Sequence, residues 1–176
     1  MSHAAPANFT TQRLSLRQWC MVDAFALHQI MAERDLLRYF PNPEPPSIEK
    51  TSTLIDEQLN HWRRYGYGWW AVESRQTSGL IGWCGLQYLP ETDEVEIAYL
   101  LGRSHWGHGY ATEAASEGVR VAFEVLHLYE LVAIIHPENR ASRRVAARLG
   151  LSMVGEARYF GMNCHKYTLR QDSYCP

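Results

Sequence analysis

Leu100-Leu101-Gly102-Arg103-Ser104-His105-Trp106-Gly107-His108-Gly109-Tyr110-Ala111-Thr112-Glu113-Ala114 decides how this chain is read. The stretch runs from the end of an apolar, strand-like segment into the start of a helical one. Gly107 and Gly109, at i and i+2, let the backbone turn tightly and come close to a ligand. The helix that follows presents unpaired N–H groups and the positive end of its dipole. Together these make a cradle for a phosphate or pyrophosphate. The glycine spacing alone is equally compatible with a tight strand–helix turn that holds no ligand. Other phosphate motifs fit less well. The chain has no Gly-x-x-x-x-Gly-Lys-Ser/Thr, and a dinucleotide fingerprint would need a third glycine where Thr112 stands.

Upstream of the loop, three strand patterns follow one another: Trp69–Glu73, Gly79–Leu89 and Glu94–Leu101. The turns Gln76-Thr77-Ser78-Gly79 and Pro90-Glu91-Thr92-Asp93 are short, so the three predict an antiparallel meander. Further upstream, Arg13–Arg17 alternates as a half-buried strand, and Asp23 to Ala32 has helical spacing. A longer helix is capped by Ser47, carries Leu54, Ile55, Leu59, Trp62 and Tyr65 on one face, and stops at Gly66. Pro41-Asn42-Pro43-Glu44-Pro45-Pro46 separates these two helices. Downstream of the loop come a helix over Thr112–Leu126 and a β-branched, buried strand over Leu131–Ile135. Asn139 caps a helix from Arg140 to Leu149, closed by Gly150. Val154–Tyr159 and Lys166–Arg170 form a closing pair around Gly161. The order β-α-α-β-β-β-α-β-α-β-β predicts a mixed α+β (mixed α/β) fold, not a doubly wound sheet.

The chain has 176 residues, the length of one domain. The boundaries expected are a flexible N-terminus over 1–10, one domain over 11–171 and a tail over 172–176. Seventeen basic against nineteen acidic side chains give a net charge of −2, which speaks against nucleic-acid binding. No apolar run is long enough to span a membrane. Cys20, Cys84, Cys164 and Cys175 form no C-x-x-C pair, and Met1 to Thr10 does not read as a secretory leader. Reduced thiols and a cytoplasmic location are therefore expected. The eight histidines and four cysteines show no metal-ligand spacing, so no metal is expected. Aromatic residues make up 12% of the chain, with six Trp and ten Tyr, enough to line a cleft as well as fill a core.

The run Trp106–Ala114 resembles the acetyl-CoA pyrophosphate loop of the GNAT superfamily of N-acetyltransferases, in the branch typified by the ribosomal-protein (RimJ/RimL-type) enzymes. The family's loop is usually Gln/Arg-x-x-Gly-x-Gly/Ala; Ser104 stands at its first position and contributes less to anion binding. Asn139-Arg140-Ala141-Ser142 with Arg148-Leu149-Gly150-Leu151 resembles a second family segment, with Leu151 in place of Phe. The resemblance spans roughly residues 12 to 170. It implies a mostly antiparallel sheet of about six or seven strands with about four helices. It also implies acetyl-CoA as co-substrate and a peptide N-terminus or small-molecule amine as acceptor. A homodimer is one assembly open to the chain. A noncatalytic acyl-CoA-binding module on the same fold is the alternative.

Carried over residue by residue, the resemblance gives the donor side Ala98, Tyr99, Leu100 and Leu101 along the pantetheine arm. Ser104, Trp106, Gly107, His108, Gly109, Tyr110, Ala111 and Thr112 fall at the pyrophosphate. Asn139 and Ser142 fall at the acyl end, and Arg143 or Arg144 near the nucleotide. A strand bulge beside Ala98 is expected to aim an N–H at the thioester oxygen. Glu96 is the expected base and an acceptor contact. The Tyr that many family members carry as acid falls at Ala146, so Ser142 takes that role, with Tyr159 or water as alternatives. Tyr39, Phe40 and Trp70 are expected to line the acceptor side.

Overall fold

The structure, a computed structural model, describes residues 4–175. Eight strands form one sheet: β1 (Asn8–Thr10), β2 (Leu14–Arg17), β3 (Trp69–Ser74), β4 (Leu80–Leu89), β5 (Glu94–Leu101), β6 (Glu130–Ile135), β7 (Ser152–Tyr159) and β8 (Met162–Arg170). Their order is β1-β2-β3-β4-β5-β6-β8-β7. Every neighbouring pair is antiparallel except β5 and β6. Four α-helices join them: α1 (Ala24–Met31), α2 (Ile48–Tyr65), α3 (Tyr110–Arg120) and α4 (Arg140–Arg148). This is the mixed α/β fold expected from the element order, with eight strands where about six or seven were expected.

The eighth strand is β1. The expected flexible segment over 1–10 is corrected here: Phe9 pairs with Leu16 and sets its ring edge-on to Trp70, 5.2 Å between centroids. Three residues carry too little alternation to be seen in the sequence, and tertiary packing holds them. Residues 1–3 of that segment, and Pro176 of the tail, lie outside the described residues. In the tail, Tyr174 stacks on Phe123 and donates to Glu124. The helix expected over Thr112–Leu126 begins at Tyr110 and passes into a π-helical turn, Val121–Val125. Caps fall where the sequence puts them. The Ser47 hydroxyl accepts from the Lys50 N–H, and Gly66 ends α2 in a left-handed conformation.

Alternation along β5 divides the core. Ile97 and Leu101 join the cluster that buries Ala114, Ala115 and Val119 of α3. Leu100 joins Leu27 and Ile30 of α1 and Ile55 of α2 in the other. Helices therefore cover both faces. The parallel ladder between β5 and β6 is registered at a single pair, Glu96 with Val132. Beyond it the two strands part, and the cleft between them is where the functional residues collect.

Candidate active site

The larger of two joined cavities, about 700 Å³, lies between the β5–α3 connection and α4. Leu100, Leu101, Trp106, Gly107, Gly109, Tyr110, Ala111 and Thr112 form one wall. Gly107 and Gly109 both have φ near +80°, a left-handed conformation that a side chain strains. The loop is tied down from outside. The Arg13 guanidinium donates to the His108 carbonyl at 2.8 Å and to Glu113 at 2.6 Å. The other Glu113 oxygen accepts from the Thr11 hydroxyl and the Arg13 N–H. Burial pushes the Glu113 carboxyl up, but these donors outweigh it and hold it below the usual range. The Trp106 indole donates to the Leu101 carbonyl at 2.7 Å. The Thr112 hydroxyl, on a residue that lines this cavity, is buried with no protein partner.

On the opposite wall, Arg140, Arg144 and Arg148 line the cavity together with Asn139 and Ser142. Their spacing of four places all three arginines on one helix face. Arg143 is off that face: its guanidinium donates to the Tyr167 hydroxyl at 3.2 Å and to the Pro137 carbonyl. Of the two arginines expected near a nucleotide, Arg144 lines this cavity and Arg143 does not. Ser104 lies exposed in a short turn, Arg103–His105, and does not line the cavity. His108 meets Arg13 through its carbonyl, while its exposed ring stacks on Tyr110.

The smaller cavity, about 250 Å³, contains Glu96, Ala98, Trp69, Trp83, Phe160 and Cys164 among its walls. Tyr39, Phe40, Tyr99, Asn139 and Ser142 line both cavities. Trp69 and Trp83 stack at 3.8 Å, nearly parallel. Trp70 is corrected. It is fully buried on the opposite face of β3, packed against Phe9 and Trp62, with its indole N–H on the Pro6 carbonyl. Strand alternation gives the cavity to its neighbour Trp69.

Glu96 is buried at 7% exposure, and its carboxylate accepts the Ile134 N–H at 3.4 Å. Burial raises it to about 8, with help from Glu94 and against the Ile134 N–H. Tyr159 lies away from both cavities, its hydroxyl donating to Glu94 at 2.7 Å, and Lys166 is the other partner of Glu94. The β5 bulge is corrected as well. The β4–β5 register is unbroken from Gly82–Leu101 to Leu89–Glu94, and the opening beside Ala98 comes from the parting of β5 from β6. Among the described residues, no three His, Cys, Asp or Glu side chains are grouped to hold a metal ion. No helix among them is long and apolar enough to cross a membrane.

Residues 13–152 match the acetyltransferase (GNAT) domain. The chain is 30% identical over 151 residues to an uncharacterised N-acetyltransferase, YoaA, of Bacillus subtilis (strain 168), covering 85% of each. The crystal structure of an acetyltransferase from Agrobacterium tumefaciens superposes with a TM-score of 0.80 at 31% identity, covering 95% of this chain and 96% of that one. RimL, a ribosomal L7/L12 α-N-protein acetyltransferase solved with coenzyme A, shares the fold at a TM-score of 0.78 and 20% identity, over 97% of this chain and 99% of its own. This chain belongs to the GNAT acetyltransferase family, and it is an acyltransferase.

Proposed function

We propose that the enzyme transfers the acetyl group of acetyl-CoA to a primary amine that carries a single positive charge and an apolar or aromatic body. The observation that carries this reading is the meeting of two unlike cavities at Tyr99, Asn139 and Ser142. One presents glycine-rich backbone, a helix N-terminus and four arginines, Arg38 and the three of α4, which suits pyrophosphate and phosphate. The other is walled by aromatic rings and holds a carboxylate whose raised affinity for protons suits a base near neutral pH. In the family's direct mechanism, Glu96 takes a proton from the amine, and the nitrogen then attacks the thioester carbon. Main-chain groups of Ala98 to Leu101, freed where β5 leaves β6, align the pantetheine arm. A base in the wall of the aromatic cavity, which shares Tyr99, Asn139 and Ser142 with the donor cavity, favours catalysis over a module that only binds acyl-CoA.

Acceptor size and charge follow from the walls. Glu96 is the one carboxylate lining the smaller cavity, and no Lys or Arg lines it. A polycation would need further carboxylates along its length, and an acidic acceptor would need a cation. A free arylalkylamine and a peptide beginning with an apolar residue share the favoured chemistry. The test is coenzyme A release over a panel of phenethylamine, tryptamine, an Ala-Phe dipeptide amide, spermidine and glutamate. Higher kcat/KM for the first three than for spermidine, by about tenfold, is expected. Preference for spermidine or glutamate would overturn the acceptor assignment. An acetyl-CoA Kd weaker than millimolar by calorimetry would overturn the donor assignment.

A further inference from the structure

Acetyl transfer leaves a thiolate that must be protonated. The expected sources are Ser142, water and Tyr159, and the last is engaged with Glu94 away from both cavities. Two phenols stand at the junction: Tyr39, whose ring stacks on His136, and Tyr99, whose hydroxyl reaches α4. Tyr99 lines both cavities, and its hydroxyl reaches across the cleft from β5 to the first turn of α4, donating to the Ser142 carbonyl at 3.4 Å. That bond is long and is easily exchanged for a better acceptor. On the facing helix Ala146 leaves the space open. Resting on the acetyl-transfer reading above, we propose that Tyr99 is the general acid that protonates the departing sulfur of coenzyme A.

The step balances. The amine nitrogen bonds to the acetyl carbon, the C–S bond breaks, and its electron pair stays on sulfur. The Tyr99 O–H turns from the Ser142 carbonyl to sulfur and delivers its proton. Glu96 takes the first proton from the ammonium before attack. The nitrogen of the tetrahedral intermediate gives its second proton to solvent, which returns an equivalent proton to the phenolate, and Glu96 later releases its own to bulk water. Apolar surroundings suit both partners. Burial pushes the Tyr99 phenol up, so it stays protonated across the working range, and the same walls raise the basicity of a thiolate formed between them.

Tyr99→Phe keeps the ring and removes the proton. Its kcat is expected to fall at least tenfold, while its acetyl-CoA Kd by calorimetry stays within twofold of wild type. A fluorinated tyrosine at position 99, a more acidic phenol, is expected to restore turnover at low pH and to lose it at a lower pH than wild type does. Turnover by Tyr99→Phe within threefold of wild type overturns the proposal. So does a fluorotyrosine pH profile that superposes on the wild-type one. Loss of turnover in Ser142→Ala with Tyr99→Phe fully active would give the role to Ser142. A wild-type enzyme that acetylates no amine would instead overturn the acetyl-transfer reading, and this assignment with it.

Discussion

Glu96 is one carboxylate that answers to two pH-dependent measurements. Its proton affinity is raised to about 8 in the folded chain, against an ordinary value of 4.5. A base must be ionised, so the kcat/KM of the wild type rises with pH through a limb near 8. Glu96→Gln should lose that limb and at least about 100-fold in kcat, with acetyl-CoA affinity kept. The stability effect has a definite sign. Because folding raises the affinity, ionisation is easier in the unfolded chain, and the wild type is penalised progressively between pH 5 and 8. Thermal melts should therefore show Glu96→Gln gaining on the wild type as pH rises across that window, and no difference at pH 4. The tryptophans test side-chain placement. Trp70→Phe should lower stability by about 1 to 3 kcal/mol in urea melts with the amine KM unchanged, because Trp70 is core. Trp83→Phe should raise the amine KM, because Trp83 is cavity wall. The family resemblance identifies Glu96 as a candidate from the sequence. It does not separate Trp69 from Trp70, since two adjacent indoles are chemically identical until the strand is phased.

At the scale of the element, the glycine loop was legible because its requirements are local. Two left-handed backbone positions and a helix start are written into Gly107, Gly109 and the stripe of α3. Gly109→Val forces a β-branched side chain into φ +81° and should abolish acetyl-CoA binding by calorimetry while far-UV circular dichroism is retained. The clamp behind the loop was invisible, because Thr11 and Arg13 lie about a hundred positions from Glu113. Arg13→Ala should raise the acetyl-CoA KM about tenfold with kcat kept, since the loop is then no longer held in its binding shape. It should also cost about 1 kcal/mol at pH 7, where Glu113 is ionised, and that loss should fade as acid protonates the carboxylate below its ordinary range. The face of α4 was open to finer reading. Positions 140, 144 and 148 repeat every four residues and define one stripe, while Arg143 is off it and joins Tyr167.

Over the whole molecule, the cleft is the gap where β5 and β6 part, so a ligand seated there bridges the two halves of the sheet. Acetyl-CoA at a hundred times its Kd should stabilise the fold by about 2.7 kcal/mol, read as a rise in Tm. Gly109→Val should show no such rise. Length, charge, element order, caps and the glycine loop were determined by the sequence alone, because each depends on neighbours within a few residues or on composition. Seven of the eight strands belong to that local class, while β1 exists only because Phe9 finds Leu16 and Trp70. Tertiary structure decided the rest. It buried Glu96, brought Tyr99 beside α4, turned Arg143 away and set the aromatic cavity against the glycine-loop cavity. Those outcomes depend on how far two strands diverge and on which faces meet, and neither distance is encoded in any short stretch of chain.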